Sequence, residues 1–188
     1  MDVAISEDSI FALTPSQMFK GLRSNPALPD FSQWDRDIRF PYQLTNKYVE
    51  LQQIGQQFWV LRKDETYGQD SVFRLVNDQL QLVTNQPFSL EINSIQAIGN
   101  QMAVSTDGGF MLYNADAQWQ TAYSSNLLDR WLNTTRVCYL KNAFWGADKA
   151  WGLQEHINEY ACKRYPIEGL ANRFVYACLL YTSDAADE

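Results

Sequence analysis

Residues 51–60 read LQQIGQQFWV and residues 95–104 read IQAIGNQMAV, and five of these ten positions are identical at an offset of 44 (95 minus 51). Self-similarity at that period marks stacked supersecondary units, and β-propeller blades of roughly 40–50 residues are the architecture it points to first. Two fainter copies flank the pair. Setting Phe144 under Met102 aligns Val137, Leu140 and Asn142 with Ile95, Ile98 and Asn100, and setting Ile10 above Phe58 aligns Val3 and Ala12 with Leu51 and Val60. The anchors Ile10, Phe58, Met102 and Phe144 then stand 48, 44 and 42 residues apart, which places four units in the chain.

Each unit has the same internal grammar. In the third, Ile95 and Ala97 lead through a Gly99-Asn100 turn into the apolar run 102–104. The turn Thr106-Asp107-Gly108-Gly109 follows, then the run 110–113, a polar break and the run 119–123. Short β-rich runs cut by Asp-Gly and Asn-containing turns predict meandering antiparallel strands. The first unit repeats this with 10–13, a turn at 14–17, Met18-Phe19, and 31–34 as its outer strand; the second stretches its middle turn over 63–70 and pairs 72–75 with 80–83. Four strands per unit is the content of one propeller blade. The expected fold is all-β, a partial propeller of about four four-stranded antiparallel blades near 1–45, 46–90, 91–132 and 133–177.

The last eleven residues, 178–188, read CLLYTSDAADE, which looks like a translated transposase-type sequencing adaptor and is set apart as a non-native tail. On this reading residues 1–177 are an internal propeller fragment of a longer protein. An isolated piece of a repeat array is expected to expose apolar blade faces.

Aromatic residues make up 14% of the chain and charged residues 20%, a mix suited to broad sheet-to-sheet contacts. The formal charge of −7 is nearer −4 without the three acids of the tail, and there is no basic cluster, so attraction to a phosphate backbone is not expected. No apolar run is long enough to span a bilayer, and the chain reads as soluble.

Catalytic and cofactor motifs are sparse. The single histidine, His156, lies in the polar stretch 154–159 and is expected to be a solvated turn residue, with no second His or spaced Cys pair to complete a metal site. Neither a nucleophile elbow nor a glycine-rich phosphate loop is present. Asp35 and Asp37 could act as paired acids on a polysaccharide, but they read more simply as exposed blade-end residues flanking Arg36. Asp107 before Gly108-Gly109 is explained as a turn residue, because Asp bonds its own backbone and Gly supplies positive φ. Asn133-Thr134-Thr135 matches a glycosylation sequon by pattern alone. Cys138 and Cys162 are expected to be small buried hydrophobes, with a disulfide between neighbouring strands as the alternative. Among the tryptophans, Trp34 with Trp119 and Trp59 with Trp145 occupy matching repeat positions and read as packing, whereas Trp131 and Trp151 fall outside the pattern.

In the fourth unit, Phe144-Trp145-Gly146-Ala147-Asp148, then Gly152-Leu153, Tyr165-Pro166, Gly169 and Asn172 resemble the W-x-A-D…G-L…P-x-G-P…N run of two-component-regulator-type propellers. The run is most similar to the PorZ-like propeller group of the type IX secretion system, and the resemblance covers roughly residues 5–177. It implies a non-enzymatic envelope component, exported through the periplasm to the outer membrane or cell surface. There it would work with other secretion-system proteins and assist attachment of cargo to anionic lipopolysaccharide or another glycan. It also implies a signal peptide, paired propellers and a sorting domain in the full protein, and no cofactor. Function in such a fold sits on loops grafted onto a regular scaffold. The candidate partner surface is therefore the blade turns at 63–70, 107–109 and 149–152, with Asp107, Trp131, Asp148 and Trp151 as candidate contacts. Two alternatives accompany this reading: the oligosaccharide-sensing periplasmic propeller of a hybrid two-component regulator, and a polysaccharide-active enzyme using His156, Asp35 and Asp37.

Overall fold

In the computed structural model the described residues are 2–83, 90–124, 132–159 and 161–165. They form four antiparallel sheets of four strands, each a simple meander. Blade 1 contains β1 (Asp2–Ile5), β2 (Ser9–Leu13), β3 (Met18–Leu22) and β4 (Asp35–Arg36), and blade 2 contains β5 (Lys47–Ile54), β6 (Gln57–Lys63), β7 (Ser71–Val76) and β8 (Gln79–Leu82). Blade 3 contains β9 (Ile92–Ile98), β10 (Gln101–Thr106), β11 (Gly109–Asn114) and β12 (Trp119–Tyr123). Blade 4 contains β13 (Thr134–Leu140), β14 (Ala143–Asp148), β15 (Gly152–Asn158) and β16 (Ala161–Tyr165). The first strands β1, β5, β9 and β13 touch in succession, which makes them the axial strands of a propeller arc.

The repeat read from the sequence is the repeat of the fold. Ile10, Phe58, Met102 and Phe144 are each the second residue of their blade's second strand, paired with Ile5, Gln53, Ala97 and Tyr139 respectively on the first. The hairpins joining those strands use the turns the residues dictate. Gly55 and Gly99 hold φ of 58° and 57° at the first central position of two-residue turns, where a type II′ turn favours glycine. In blade 4 the corresponding pair is Lys141-Asn142, both left-handed at φ 50° and 63°, the backbone of a type I′ turn with an unfavourable lysine in it.

Three apolar seams hold the blades together. The seam between blades 1 and 2 buries Phe11, Leu13, Met18, Leu51, Phe58 and Val60. Trp59, Leu61, Ile92, Ile95, Met102 and Val104 fill the second seam, and Ala103, Phe110, Leu112 and Val137 fill the third. Burying each Leu- or Phe-sized side chain contributes roughly 1.5–3 kcal/mol, so the seams supply the main stabilising term. At the repeat position where Leu51 is 2% exposed, Ile95 0% and Val137 1%, Val3 of blade 1 is 47% exposed.

Blade 1 departs from the predicted outer strand. Residues 31–34 do not form it: Phe31–Gln33 is a 3-10 turn capped by the Asp30 carboxylate, and the strand is the short β4 that follows. The connector 23–34 folds back over its own sheet. The Trp34 indole donates to the Leu28 carbonyl at 2.8 Å, Phe31 packs edge-on to Phe19 at 4.8 Å, and a Cβ on Gly21 would lie 2.5 Å from Leu28 Cδ1. In blade 2 the residues at the register of Phe19 and Gly21 are Phe73 and Leu75, which pack into the seam with blade 1. The connector thus provides for blade 1 a cover that blade 2 obtains from its neighbour.

Two further expectations are corrected. His156 is not a solvated turn residue; it lies within β15 and is 5% exposed, because alternate residues of that strand face the seam with blade 3. Cys138 and Cys162 are half-buried rather than buried, and they sit on β13 and β16, the two opposite edges of the blade 4 sheet, which excludes a disulfide between them.

Candidate functional site

Because every blade is a meander, the turns between second and third strands all emerge at one end of the sheets: 14–17, 64–70, 107–108 and 149–151. One device shapes three of them. Thr14 Oγ1 accepts from Gln17 N–H at 3.2 Å, Thr106 Oγ1 accepts from Gly108 N–H at 3.1 Å, and Asp148 Oδ1 accepts from the N–H groups of Ala150 and Trp151 at 2.8 and 2.9 Å. These three residues share a repeat position at the end of the second strand, where a short oxygen-bearing side chain satisfies turn N–H groups that would otherwise lie unpaired. Asp148 adds a third bond, from Asn133 N–H at 2.6 Å, and is 1% exposed. Its carboxylate is therefore committed to the backbone.

Neighbouring turns are tied laterally across this end. Asp70 accepts from Asp64 N–H, from Ile92 N–H of blade 3 and from the Lys63 ammonium, which also meets Glu91 at 3.2 Å. The Tyr67 hydroxyl, on a side chain 61% exposed, donates to Asp107 Oδ2 in the next blade. Asn93 donates to Asn133 Oδ1 and the Thr134 carbonyl, and Lys149 reaches Asn93 at 3.3 Å. Trp151, half-buried, lies under the Arg164 guanidinium at 4.7 Å. Of the four candidate contacts, Asp107, Asp148 and Trp151 thus stand at one end of the arc, and Trp131 lies outside the described residues.

A second polar set lines the axis, and it was missed in the sequence. Asp2 Oδ2 accepts from Leu51 N–H at 2.8 Å, and Glu50 Oε2 accepts from Ile95 N–H at 2.7 Å. The two acids occupy one repeat position, immediately before the apolar anchors Val3 and Leu51, and each satisfies an N–H of the following blade. Blade 3 has Ser94 there, which donates to the Thr135 carbonyl at 2.6 Å. Blade 4 has Arg136, which reaches past blade 3 to Glu50 at 2.6 Å. Burial pushes the Glu50 carboxyl above its usual range, while the Ile95 N–H and Arg136 oppose that shift. The recurrence of an acid just before the anchor in the first two units was the available signal.

The residues needed for polysaccharide cleavage do not converge. Asp37 is 7% exposed, not an exposed blade-end residue, because Arg39 clamps it through Nε at 2.8 Å and Nη2 at 2.6 Å. Asp35 is exposed on β4 of the same blade. His156 is in blade 4, edge-on to Phe110 at 4.9 Å and Tyr123 at 5.6 Å, and desolvation pushes its imidazole down to about 4. Among the described residues no group of three or more His, Cys, Asp or Glu side chains could hold a metal ion, and no helix is long and apolar enough to cross a membrane.

No protein-family profile matches the sequence, and no curated protein is similar to it by sequence. Solved structures share its shape. The extracellular domain of BT4673 from B. thetaiotaomicron, described as a one-component or hybrid two-component system, superposes with a TM-score of 0.64 at 13% identity, over 93% of this chain and 24% of that one. Hsv2p of Kluyveromyces lactis matches at TM-score 0.56 and 14% identity, over 82% of this chain and 48% of that one. Regucalcin of Agrobacterium tumefaciens, a calcium-binding protein, matches at 0.54 and 10%, over 87% and 59%. The chain spans about a quarter of the length of the BT4673 domain. At these identities the likeness carries the architecture alone: this chain has the fold of a β-propeller arc.

Proposed function

We propose that this arc is part of the extracytoplasmic sensory region of a two-component-type regulator, where it binds an oligosaccharide without transforming it. The observation that carries the reading is the match of 93% of the chain to the extracellular domain of BT4673. The lateral ties across the turns support it, since they fix Tyr67, Asp107 and Trp151 on a stiff platform suited to holding a ligand. The His156, Asp35 and Asp37 placements favour binding over catalysis. The secretion-scaffold reading rests on the W-x-A-D-like run at 145–148, in which Asp148 serves the turn itself.

The complete reading frame decides between the two. A membrane-spanning helix followed by a histidine kinase or a DNA-binding segment supports sensing, and a β-sandwich sorting domain overturns it. On the protein itself, calorimetric titration with a panel of neutral and acidic oligosaccharides should give saturable heat with no change in the sugar recovered. Release of shortened products would overturn the non-catalytic part.

A further inference from the structure

The seams between blades repeat, but that between blades 1 and 2 leaves a cleft at one end. Between blades 2 and 3, Arg74 of β7 closes the gap: its Nη1 donates to the Ala115 carbonyl at 2.7 Å and to Gln57 Oε1 at 3.3 Å, and lies 3.8 Å from Asp116. The residue at the same register in blade 1 is Lys20, on β3 next to Phe19. Its ammonium lies 5.7 Å from the Phe11 ring centroid, with no hydrogen bond or ion pair to an oxygen among the described residues. A cleft of about 650 Å³ occupies that place, a volume within the range of small-molecule sites.

The walls of the cleft define its chemistry. Phe11 and Phe58, 4.5 Å apart and nearly buried, form an apolar floor. The turn residues Glu7 and Asp8 stand on one rim, and Gln53 and Gln56 on the other. Arg39 also lines the cleft, but both of its faces are taken, by Asp37 and by Asp78 at 3.1 Å. Lys20 is therefore the one cation of the lining whose charge is not already matched by a carboxylate within ion-pair distance. Two rim carboxylates repel a ligand of high negative charge, while they and the carboxamides accept and donate hydrogen bonds to hydroxyl groups.

We infer that this cleft binds a hydroxyl-rich ligand bearing a single acidic group, a mono-acidic saccharide whose carboxylate or sulfate sits on Lys20. The site lies beside the β1–β2 and β5–β6 turns, at the other end of the strands from the turn platform described above, and does not depend on the sensory reading.

Calorimetric titration of the intact protein with a monouronate disaccharide, a monosulfated disaccharide and their neutral counterpart tests it. Binding of one or both acidic sugars at least tenfold tighter than the neutral sugar is expected, and the tighter of the two identifies the acidic group. Lys20→Met keeps the aliphatic stem over Phe11 and should remove that preference with an unchanged thermal midpoint. Gln56→Trp, at an exposed turn position on the cleft mouth, should block binding independently of Lys20. Glu7→Gln should strengthen binding of the acidic sugars severalfold. Equal affinity for neutral and acidic sugars, an unaltered preference in Lys20→Met, or no binding of either acidic sugar at millimolar concentration would overturn the inference.

Discussion

Lowering the pH from 8 to 5 should loosen the junction of blades 3 and 4, and the cause is one imidazole. His156 is enclosed by Phe110, Tyr123 and Gly146, its Nε2 has no hydrogen-bond partner among the described residues, and burial pushes it from 6.5 down to about 4. The unfolded chain therefore takes up a proton at a higher pH than the folded chain. Stability is complete above about pH 6.5, declines as pH falls through the window between the two values, and levels off below about 4. The full difference corresponds to about 3 kcal/mol, of which about 2 kcal/mol is already lost at pH 5. Urea unfolding at pH 8, 7, 6 and 5, followed by tryptophan fluorescence, measures it in the native sequence and in His156→Phe. The unfolding free energy of the native sequence minus that of His156→Phe should fall by about 2 kcal/mol from pH 8 to pH 5, since titrating carboxylates are common to both. Parallel pH profiles would refute the argument, because they would mean that His156 titrates in the folded protein as it does in water.

Three substitutions test other parts of the architecture by chemical denaturation. Gly109 holds φ of 122° and a Cβ there would fall 2.0 Å from the Tyr123 carbonyl, so Gly109→Ala should cost more than about 2 kcal/mol, and a neutral result would displace the turn. Lys141→Gly relieves a left-handed lysine at φ 50° and should stabilise the protein by about 1 kcal/mol, with a loss of stability counting against the assigned turn. Asp70→Ala strips the acceptor from Asp64 and Ile92 N–H and from Lys63; a loss of about 3 kcal/mol is expected, and a loss below 1 would mean that those groups find other partners.

The repeat was legible because its two strongest elements are local: a glycine held at positive φ and an apolar triplet that begins three residues after it. Unit 4 was fainter for a visible reason, as Lys141-Asn142 replaces the glycine turn without changing its length. The outer strand of blade 1 was not legible, since Phe31 and Trp34 carry strand-like composition but are drawn into the folded-back connector. His156 was misread because β15 alternates polar residues into its buried positions, Gln154 and His156, so the chain looks solvated where it is enclosed. Contacts such as Glu50 with Ile95 and Arg136 join positions far apart in sequence, and only the superposition of repeats brings them into register. The candidate surface was legible as a set of turns, whereas the duty of each side chain within it was not: Asp148 could not be told from a ligand contact until its three N–H donors were known.

Stacked-repeat proteins are commonly treated as chains of nearest-neighbour couplings, in which free energies add link by link. The Arg136–Glu50 bridge breaks that scheme, because it joins two sheets that have another sheet between them, and Glu50 at the same time holds an amide of that middle sheet. Blades 2, 3 and 4 are thereby bound as a triplet at the hub. Substitutions at Glu50 and Arg136 should then be non-additive with one another, and those at Glu50 should be felt in the seams on both sides of blade 3.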